Sequence, residues 1–311
     1  MGARTLFNLV GLTACGKKKI GIAIAERIGA EIISLDSMKV YRGMDIGTAK
    51  PSAADRANAV FHMLDILDPR ESFSVGSFLE TARGHVESIH GRGKEVLFLG
   101  GTAFYLNCLL NGLFTVPESD PAIREELIGE ARERGTAHLH GRLRGADPAS
   151  ADKIHKNDTK RLVRALEVIR VTGKPLSWLK EHRTVRIIDN PSRTVGLRWP
   201  QTMLEKRIRT RTARMLDKGL VDEVNAILKR SGFGPESGKA IGYREIISHI
   251  NGDITRAEAE EEINRNSLKF VKKQETWYRR FPEIRWFELS KADDAARVAD
   301  EAAAYFSGET G

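Results

Sequence analysis

Short apolar segments alternate with segments of helical character over the first third of the chain. The apolar runs have the length and the flanking turns of buried strands. In chain order, strands are predicted at Thr5–Val10, Glu31–Leu35 and Glu95–Leu99, and helices at Lys17–Ile28, Val75–His90 and Thr102–Leu110. Apolar strands separated by helices indicate a parallel sheet with helices on both faces. Right-handed crossovers then make a doubly wound α/β core the expected topology.

Helical patterns dominate the remainder of the chain. Between Pro117 and Arg183, apolar residues recur every three to four positions, which is typical of amphipathic helices. The other predicted elements are a polar loop at Tyr41–Pro51, helices at Pro121–Arg134, Ala137–Leu143, Asp158–Val171, Met203–Lys229 and Arg256–Arg280, strands at Thr194–Trp199 and Ile284–Leu289, and a last helix from Asp293. We therefore expect a core begun by residues 1–116 and completed by residues 191–311, with a mostly helical insertion at residues 117–190.

Composition and charge limit the classes of protein to consider. The 311 residues are 41% hydrophobic and 30% charged, which is ordinary for a globular protein and excludes a largely disordered chain. Lys and Arg outnumber Asp and Glu by 50 to 42, which favours polyanionic partners without requiring a nucleic acid. The two cysteines, Cys15 and Cys108, form neither a disulfide framework nor a CxxC zinc motif, and they indicate a reducing compartment. No apolar run reaches membrane-spanning length, so a cytoplasmic protein is expected.

The turn between the first strand and the first helix has the spacing of a phosphate-binding loop. Its sequence from Gly11 to Lys17 is GLTACGK, which matches GxxxxGK in the strand–turn–helix context that this motif requires. Backbone N–H groups of such a loop and the positive end of the helix dipole bind phosphate oxygens. The predicted phosphate-binding residues are Gly11, Thr13, Ala14, Cys15, Gly16, Lys17 and Lys18.

Two features distinguish this loop from that of an ordinary ATPase. Lys18 occupies the position where a Ser or Thr usually ligates magnesium, and a protonated lysine cannot bind a cation. Either Lys18 supplies charge that the metal normally supplies, or it points to solvent while water and substrate oxygens hold the metal.

The second distinguishing feature is the position of the acidic residue. The third strand ends in Gly100–Gly101 without a carboxylate, whereas Asp36 follows the second strand and Thr102 follows the third. Strand ends line the ligand crevice of a parallel sheet, so a proton-accepting role for Asp36 is attractive. A helix-capping or turn role for Asp36 stays open.

Six segments that run in order over most of the chain carry a distinctive pattern. They are GLTACGK at Gly11–Lys17, DSMKVYRGMDIGTAKP at Asp36–Pro51, GGTAFY at Gly100–Tyr105, NDTKRLVRALEV at Asn157–Val168, AIGYRE at Ala240–Glu245 and KKQETWYR at Lys272–Arg279. These segments strongly resemble the tRNA dimethylallyltransferases, also called tRNA isopentenyltransferases. The long Asp36–Pro51 segment is the most specific of the six.

The resemblance implies a P-loop NTPase-like fold and a particular reaction. A dimethylallyl group would pass from dimethylallyl diphosphate to N6 of the adenosine just 3′ of the anticodon in tRNA. By the matched motifs, Asp36 would take the N6 proton, Thr102 would lie beside the reacting centre, and Arg211 would join the loop in holding the diphosphate. A carboxylate near a weakly nucleophilic amine, and cations near a departing diphosphate, suit that chemistry.

Two positions depart from the family pattern. Lys39 stands where the Asp-Ser-x-Gln segment of the family has Gln, in a stretch that contacts the target nucleotides. A lysine there could pair with a guanine edge or a phosphate. The resemblance implies Mg²⁺, but Lys18 removes the usual hydroxyl ligand, and no metal ligand is assigned. Both changes add positive charge near the predicted centre.

Residues of the matched motifs and basic residues on the predicted helices are candidates for binding the anticodon stem-loop. The predicted tRNA-binding residues are Asp36, Ser37, Met38, Lys39, Thr102, Arg124, Lys160, Arg161, Arg164, Gly242, Tyr243, Arg244, Lys272 and Lys273. For Arg161 and Arg164 the alternative is surface ion pairing with Asp158 or Glu167.

Two long helices carry further basic residues. One face of the first is predicted to present Arg207, Arg211, Arg214 and Lys218, although such a stripe is usually a solvated face. In the last long helix, basic residues are interleaved with Phe270 and Trp277, a composition that suits phosphate contacts and base stacking. We nevertheless expect Trp277 to belong to the core.

Two other functions are compatible with parts of the sequence. A small-molecule or nucleotide kinase can use the same loop and sheet, but the missing acid at the third strand argues against it. A non-catalytic tRNA-binding homologue would explain Lys18 and Lys39, whereas the presence of Asp36, Lys17 and Thr102 argues for catalysis. The sequence shows no unexplained apolar stripe, so we expect a monomer.

Overall fold

The computed structural model describes residues 4–114, 116, 119–182, 184–291 and 294–308. The chain forms two compact units, one of Met1–Leu110 with Ile188–Gly311 and one of Asn111–Ile187. The predicted limits at Pro117, Arg183 and Asp293 lie outside the described residues. None of the helices in the described part is long and apolar enough to cross a membrane.

The elements follow the predicted alternation closely. The strands are β1 (Leu6–Gly11), β2 (Ala30–Leu35), β3 (Phe61–His62), β4 (Glu95–Gly100), β5 (Leu113–Phe114), β6 (Thr184–Val185), β7 (Ser192–Arg198) and β8 (Arg285–Glu288). The helices are α1 (Lys17–Ile28), α2 (Ala53–Asn58), α3 (Val75–Gly91), α4 (Ala103–Asn111), α5 (Pro121–Arg134), α6 (Thr136–Ala146), α7 (Pro148–Ala151), α8 (Thr159–Thr172), α9 (Leu176–His182), α10 (Gln201–Asp217), α11 (Leu220–Arg230), α12 (Tyr243–Ile250), α13 (Arg256–Tyr278) and α14 (Asp294–Ser307), with a 3₁₀ turn at Ser237–Lys239.

A six-stranded parallel sheet forms the core of the first unit. Its strand order is β3-β2-β4-β1-β7-β8, and all five pairings are parallel. β1 is buried along its whole length, because the run LFNLVG offers apolar side chains to both faces of the sheet. α1 packs against α14, and α3 packs against β2 and β4. The predicted doubly wound α/β core is confirmed.

A second apolar cluster supports the segment that follows β2. Tyr41 and Met44 are completely buried against α11, α12 and α13. The description of Tyr41–Pro51 as a polar loop was therefore wrong for these two residues. The segment is also held by Lys50, whose Nζ donates to Asp45 and Asp65, each at 2.6 Å, and to the carbonyl oxygen of Tyr41 at 2.7 Å.

The predicted single helix Met203–Lys229 is two helices. α10 ends at Asp217 and α11 begins at Leu220, with Gly219 between them at φ 90° and ψ 35°. Residues other than glycine adopt this left-handed conformation with difficulty, so Gly219 turns the chain where apolar periodicity alone suggested a continuous helix. The break matters for function because it directs α11 toward the segment after β2.

The second unit is a small helical domain with its own core. α5, α6 and α8 pack together around Leu127, Leu139, Leu143 and Leu162, all of them completely buried. β5 and β6 form a short antiparallel pair in this unit.

Candidate active site

A basic cleft opens at the carboxyl edge of the sheet in the first unit. Its volume is about 1080 Å³, and the phosphate loop, the ends of β2 and β4, and the helices α10, α12 and α13 contribute to its walls. Asp36 and Glu236 are the two acidic residues among those that line it. The basic residues that line it are Lys17, Lys18, Lys19, Lys39, Lys206, Arg207, Arg211, Arg214, Lys239, Arg244, Lys269 and Lys273. Such an excess of cations suits a ligand with several negative charges.

The phosphate loop has the backbone geometry that its sequence predicted. Gly11 leaves β1 so close to β7 that a Cβ would lie 2.5 Å from the carbonyl oxygen of Leu197. Ala14 and Gly16 have φ of 60° and 90°, so the loop turns tightly before α1 begins at Lys17. The N-terminal N–H groups of α1 thus face the end of the loop, where the helix dipole favours an anion.

Two side chains from the later half of the chain hold the loop by its carbonyl oxygens. Trp199 donates its Nε1–H to the carbonyl oxygen of Cys15 at 3.0 Å, and Arg207 donates its Nε–H to that of Ala14 at 2.9 Å. The Arg207 guanidinium also lies over the Trp199 ring, 4.3 Å from its centroid. Because these two carbonyl oxygens are held by hydrogen bonds, the backbone conformation of the loop is stabilised.

Thr13 is held from two further elements. Arg211 on α10 donates to its Oγ1 at 2.9 Å. The Thr13 N–H donates to Gln274 Oε1 at 2.9 Å, and Gln274 Nε2 donates to the carbonyl oxygen of Gly101 at 2.8 Å. Gln274 is only 3% exposed and therefore links the phosphate loop to the end of β4. The sequence motif contained Gln274 and Trp199 lay in a predicted strand, but neither was recognised as a site residue.

Lys17 and Lys18 have different surroundings. Lys17 Nζ donates to the carbonyl oxygens of Gly11 and Leu12 at 2.9 and 2.7 Å. Lys18 Nζ pairs with Asp55 at 2.5 Å. Burial opposes ionisation of Asp55, but hydrogen bonds from Lys18 and Ser52 outweigh it and lower its pKa. Lys18 therefore neither points freely to solvent nor leaves its full charge to a ligand.

The residues that follow β2 and β4 lie next to each other, as we expected for residues at the carboxyl ends of parallel strands. Leu35 pairs with Gly100, and a Cβ on Gly100 would overlap the carbonyl oxygen of Leu35. The Ser37 N–H donates to Thr102 Oγ1 at 3.2 Å, which ties the two turns together. Asp36 Oδ1 accepts the Met38 N–H at 2.9 Å, so the turn role considered for Asp36 is present. Its other carboxylate oxygen accepts no hydrogen bond from the described residues.

Lys39 lies in the same cleft, half-buried. Burial lowers the pKa of its ammonium to about 8, the Asp36 carboxylate opposes that shift, and the charges of Lys17, Lys18 and Arg211 add to it. Lys39 is thus electrostatically part of the phosphate-loop cluster.

The residues around the loop lack the usual protein ligand of a magnesium ion. Across the described residues, no three His, Cys, Asp or Glu side chains lie together, so a magnesium ion here would be held by few protein groups and mainly by water and phosphate oxygens. The Thr13 hydroxyl, which is the only hydroxyl within the loop sequence, accepts from the Arg211 guanidinium, whose charge repels a cation. Lys18 takes the position of the usual ligand.

Several predicted tRNA-binding residues line the cleft: Asp36, Ser37, Met38, Lys39, Thr102, Gly242, Tyr243, Arg244 and Lys273. Lys272 is exposed on α13. Tyr243 is completely buried, and its hydroxyl donates to Glu223 Oε1 at 2.6 Å. Burial and the Glu223 carboxylate raise the pKa of Tyr243, so it stays neutral. Direct contact of Tyr243 with RNA stays a prediction, because the structure gives the side chain a supporting position.

Glu223 is a further supporting residue that sequence reasoning missed. Its carboxylate accepts the backbone N–H groups of Asp45, Ile46 and Gly47 at 3.0, 2.7 and 3.2 Å. A Cβ on Gly47 would lie 2.4 Å from the Tyr243 ring. Only the three-dimensional turn at Gly219 brings Glu223 to this segment, which explains why spacing gave no signal.

Three of the four predicted tRNA-binding residues of the second unit are paired with acids. Arg124 and Arg164 pair with the completely buried Glu167 at 3.2 and 3.0 Å, and Arg161 pairs with Asp158 at 3.4 Å. Ion pairing, the alternative considered for Arg161 and Arg164, is therefore observed. Lys160 is exposed. RNA binding by these residues stays a prediction.

Two aromatic residues of α13, Phe270 and Trp277, are accessible to solvent. Trp277 is half-buried. The centroid of its ring lies 6.0 Å from that of the Phe104 ring, and the Arg280 guanidinium lies 4.4 Å from the centroid of the Trp277 ring. The placement of Trp277 in the core was wrong, because its neighbour Phe104 is itself 43% exposed and leaves the ring partly uncovered. Phe270 is also exposed, at 39%.

A phosphate loop, a carboxylate at the end of the next strand and a basic cleft define a P-loop α/β transferase. Comparison with known proteins is more specific. A family model described as IPP transferase matches residues 39–281, so the chain belongs to the IPP transferase family. Family membership favours prenyl transfer over the kinase alternative.

Individual relatives agree with this assignment. The chain is 44% identical over 283 residues to the tRNA dimethylallyltransferase of Geobacter metallireducens, covering 89% of this chain and 90% of the relative. It is 38% identical over 305 residues to the tRNA dimethylallyltransferase of Bacillus pumilus, covering 97% and 95%. Among solved structures, the full-length tRNA isopentenylpyrophosphate transferase of Bacillus halodurans matches with a TM-score of 0.71 and 34% identity over 98% of this chain and 97% of the other.

Proposed function

We propose that the protein transfers a dimethylallyl group from dimethylallyl diphosphate to N6 of the adenosine 3′-adjacent to the anticodon of tRNA. The observation that carries the proposal is one basic cleft that has a diphosphate loop on one wall and the free carboxylate oxygen of Asp36 on another. A prenyl transfer needs this pairing of a site for the leaving group with a site for the nucleophile's proton.

The leaving group would be held by the phosphate loop. Lys17, Arg211 and the first N–H groups of α1 converge there, and the loop's shape is fixed by Trp199 and Gln274. As the bond between N6 and C1 of the dimethylallyl group forms, the bond between C1 and the diphosphate oxygen breaks. The diphosphate leaves with the electron pair, and the fixed cations stabilise the charge that develops on it.

Asp36 would take the proton that N6 loses. The Met38 N–H fixes one of its oxygens, so the other can face the amine in a constant direction. Thr102, tied to the same turn through the Ser37 N–H, would position the adenine beside it. An adenosine in an anticodon loop is stacked, so it must be turned out into the cleft before it reaches Asp36.

The basic wall of the cleft would bind the RNA backbone. Lys269 and Lys273 on α13 line the cleft, and the exposed Phe270 lies between them in sequence. Cations with an accessible ring suit a phosphate chain with unstacked bases. Affinity for tRNA should therefore fall as salt concentration rises. Cytoplasmic location and a monomeric state remain predictions from the sequence.

Product identification tests the function directly. The protein is incubated with dimethylallyl diphosphate and an unmodified anticodon stem-loop, and the digested nucleosides are analysed by mass spectrometry. We expect N6-dimethylallyladenosine at the position 3′ of the anticodon and none from a stem-loop with guanosine there. Transfer of a phosphoryl group from ATP with no prenylated nucleoside would contradict the proposal and revive the kinase alternative.

A further inference from the structure

The ammonium group of Lys39 has no partner within the part of the chain that the structure describes. No hydrogen bond or ion pair joins its Nζ to a described residue, although it lines the basic cleft and is half-buried. Other partly or fully buried lysines of this region form ion pairs with carboxylates. Lys18 pairs with Asp55, and Lys50 pairs with Asp45 and Asp65. Because a desolvated charge without a partner is costly, the position of Lys39 indicates a place for an anion.

A second cation in the same cluster has an unsatisfied donor. Arg211 uses NH1 to bind Thr13, but its Nε is buried without a hydrogen-bond partner in the described structure. Buried donors are normally satisfied, so an unsatisfied one at the edge of a cleft indicates a missing acceptor. Lys39 and Arg211 both line the basic cleft, and Arg211 reaches Thr13 of the phosphate loop. The two groups therefore face the same region beside the phosphate loop.

The same region lacks the donor set of a metal site. The hydroxyl position after the loop lysine is Lys18, the Thr13 hydroxyl is bound by a guanidinium, and Asp36 is the single acid among the residues of the loop and the two turns beside it. A divalent cation would have Asp36 as its one carboxylate ligand among several positive charges, whereas a diphosphate would meet complementary groups.

We propose that Lys39 is a diphosphate-binding residue and that Lys39, Arg211 and Lys17 together hold the donor's diphosphate without a divalent metal ion. The inference rests on the proposed function, since it assigns the charge compensation of that reaction. It also changes the role expected for position 39, because its side chain would serve the leaving group and not a nucleotide base.

Inorganic diphosphate is the probe, and isothermal calorimetry measures its binding to the full chain. Titrations are run with EDTA and with Mg²⁺ at equal ionic strength, because screening alone changes the attraction between charges. For the wild type we expect the two dissociation constants to agree within about threefold. Lys39→Gln should weaken binding in EDTA by about tenfold or more, since it removes a charged partner, while Lys39→Arg should keep most of the affinity.

Lys94→Gln is the matched control, because Lys94 is exposed and is not among the residues that line the cleft. It removes the same formal charge and should change affinity by less than about threefold. Circular dichroism establishes that each variant is folded. A loss of more than about tenfold in wild-type affinity on chelation would overturn the proposal, as would a Lys39→Gln variant that binds as tightly as the wild type in EDTA.

Prenyl transfer is measured separately in both buffers, so the two proposals can fail independently. Metal-free diphosphate binding without any prenylated nucleoside would refute the proposed function and leave the assignment of Lys39 intact. Prenyl transfer that requires Mg²⁺, with diphosphate binding lost in EDTA, would support the function and refute the assignment of Lys39.

Discussion

Replacing Gln274 with methionine should loosen the phosphate loop without changing the shape of the core around it. Gln274 is 3% exposed and makes two hydrogen bonds, one with the Thr13 N–H and one with the carbonyl oxygen of Gly101. Methionine has a similar length and volume, so Gln274→Met removes the polar groups with little change in packing.

The magnitude follows from the two backbone groups that lose their partner. A net hydrogen bond contributes about 1 kcal/mol, and a buried group left unpaired costs about 1–3 kcal/mol. Both groups lie at the edge of the cleft, where water can reach them in part, so we expect the free energy of unfolding to fall by about 2–4 kcal/mol. A displaced Thr13 should also raise the KM for the donor, because the N–H groups of the loop would no longer be aligned with the phosphate oxygens that they bind.

Urea unfolding followed by tryptophan fluorescence measures the first effect, and steady-state kinetics with varied donor measures the second. Glu275→Gln is the matched control, since Glu275 is the next residue on α13 and its side chain is exposed. The control should lie within about 0.5 kcal/mol of the wild type. If Gln274→Met matched the control in both stability and KM, the role of Gln274 as a link between β4 and the loop would be refuted.

Three further predictions concern buried or coupled charges. Lys50→Met should lower the free energy of unfolding by about 1–3 kcal/mol in urea, because it removes the hydrogen bonds to Asp45, Asp65 and the Tyr41 carbonyl oxygen, while Asp45 is exposed and Asp65 keeps its ion pair with Arg56. Wild-type stability in that variant would contradict this. Burial raises the pKa of Asp65, but hydrogen bonds from Lys50 and Arg56 outweigh it and lower that pKa, so the carboxylate stabilises the fold above its unfolded pKa and loses this contribution as pH falls through its folded pKa. The unfolding free energies of wild type and Asp65→Asn should therefore converge as pH is lowered. A constant difference between them at all pH values would refute this. Burial lowers the pKa of Lys39 to about 8, so the wild type should bind diphosphate less tightly than Lys39→Arg does as pH rises through about 8. If the ratio of the two dissociation constants did not change with pH, Lys39 would not be the titrating group.

Local sequence was sufficient where a function depends on neighbouring residues. The loop Gly11–Lys17 and the position of Asp36 follow from strand, turn and helix signals within a few residues. The parallel sheet then brings Asp36 and Thr102 together, since both follow strands that pair in register.

Sequence was insufficient where residues distant in the chain meet. Trp199, Glu223 and Gln274 act on backbone groups more than a hundred residues away, and each looks like an ordinary strand or helix residue by spacing alone. The break at Gly219 was missed because apolar periodicity continues across it. Lys39 was recognised as a departure from a family pattern, but only the three-dimensional structure shows that no described residue forms a hydrogen bond or ion pair with its ammonium group in the cleft.

The central claim is that the free oxygen of Asp36 accepts the N6 proton during transfer from a diphosphate held by the loop. The most direct test is the single-turnover rate of prenyl transfer at saturating donor and stem-loop, with Asp36→Asn compared with Glu236→Gln, the other acidic residue of the cleft. We predict that Asp36→Asn lowers this rate by about 10²–10⁴-fold, the usual contribution of a general base, while binding of stem-loop and diphosphate is retained and Glu236→Gln stays close to wild type. An Asp36→Asn rate within about threefold of the wild type would contradict the account, because a proton acceptor cannot be removed at so small a cost.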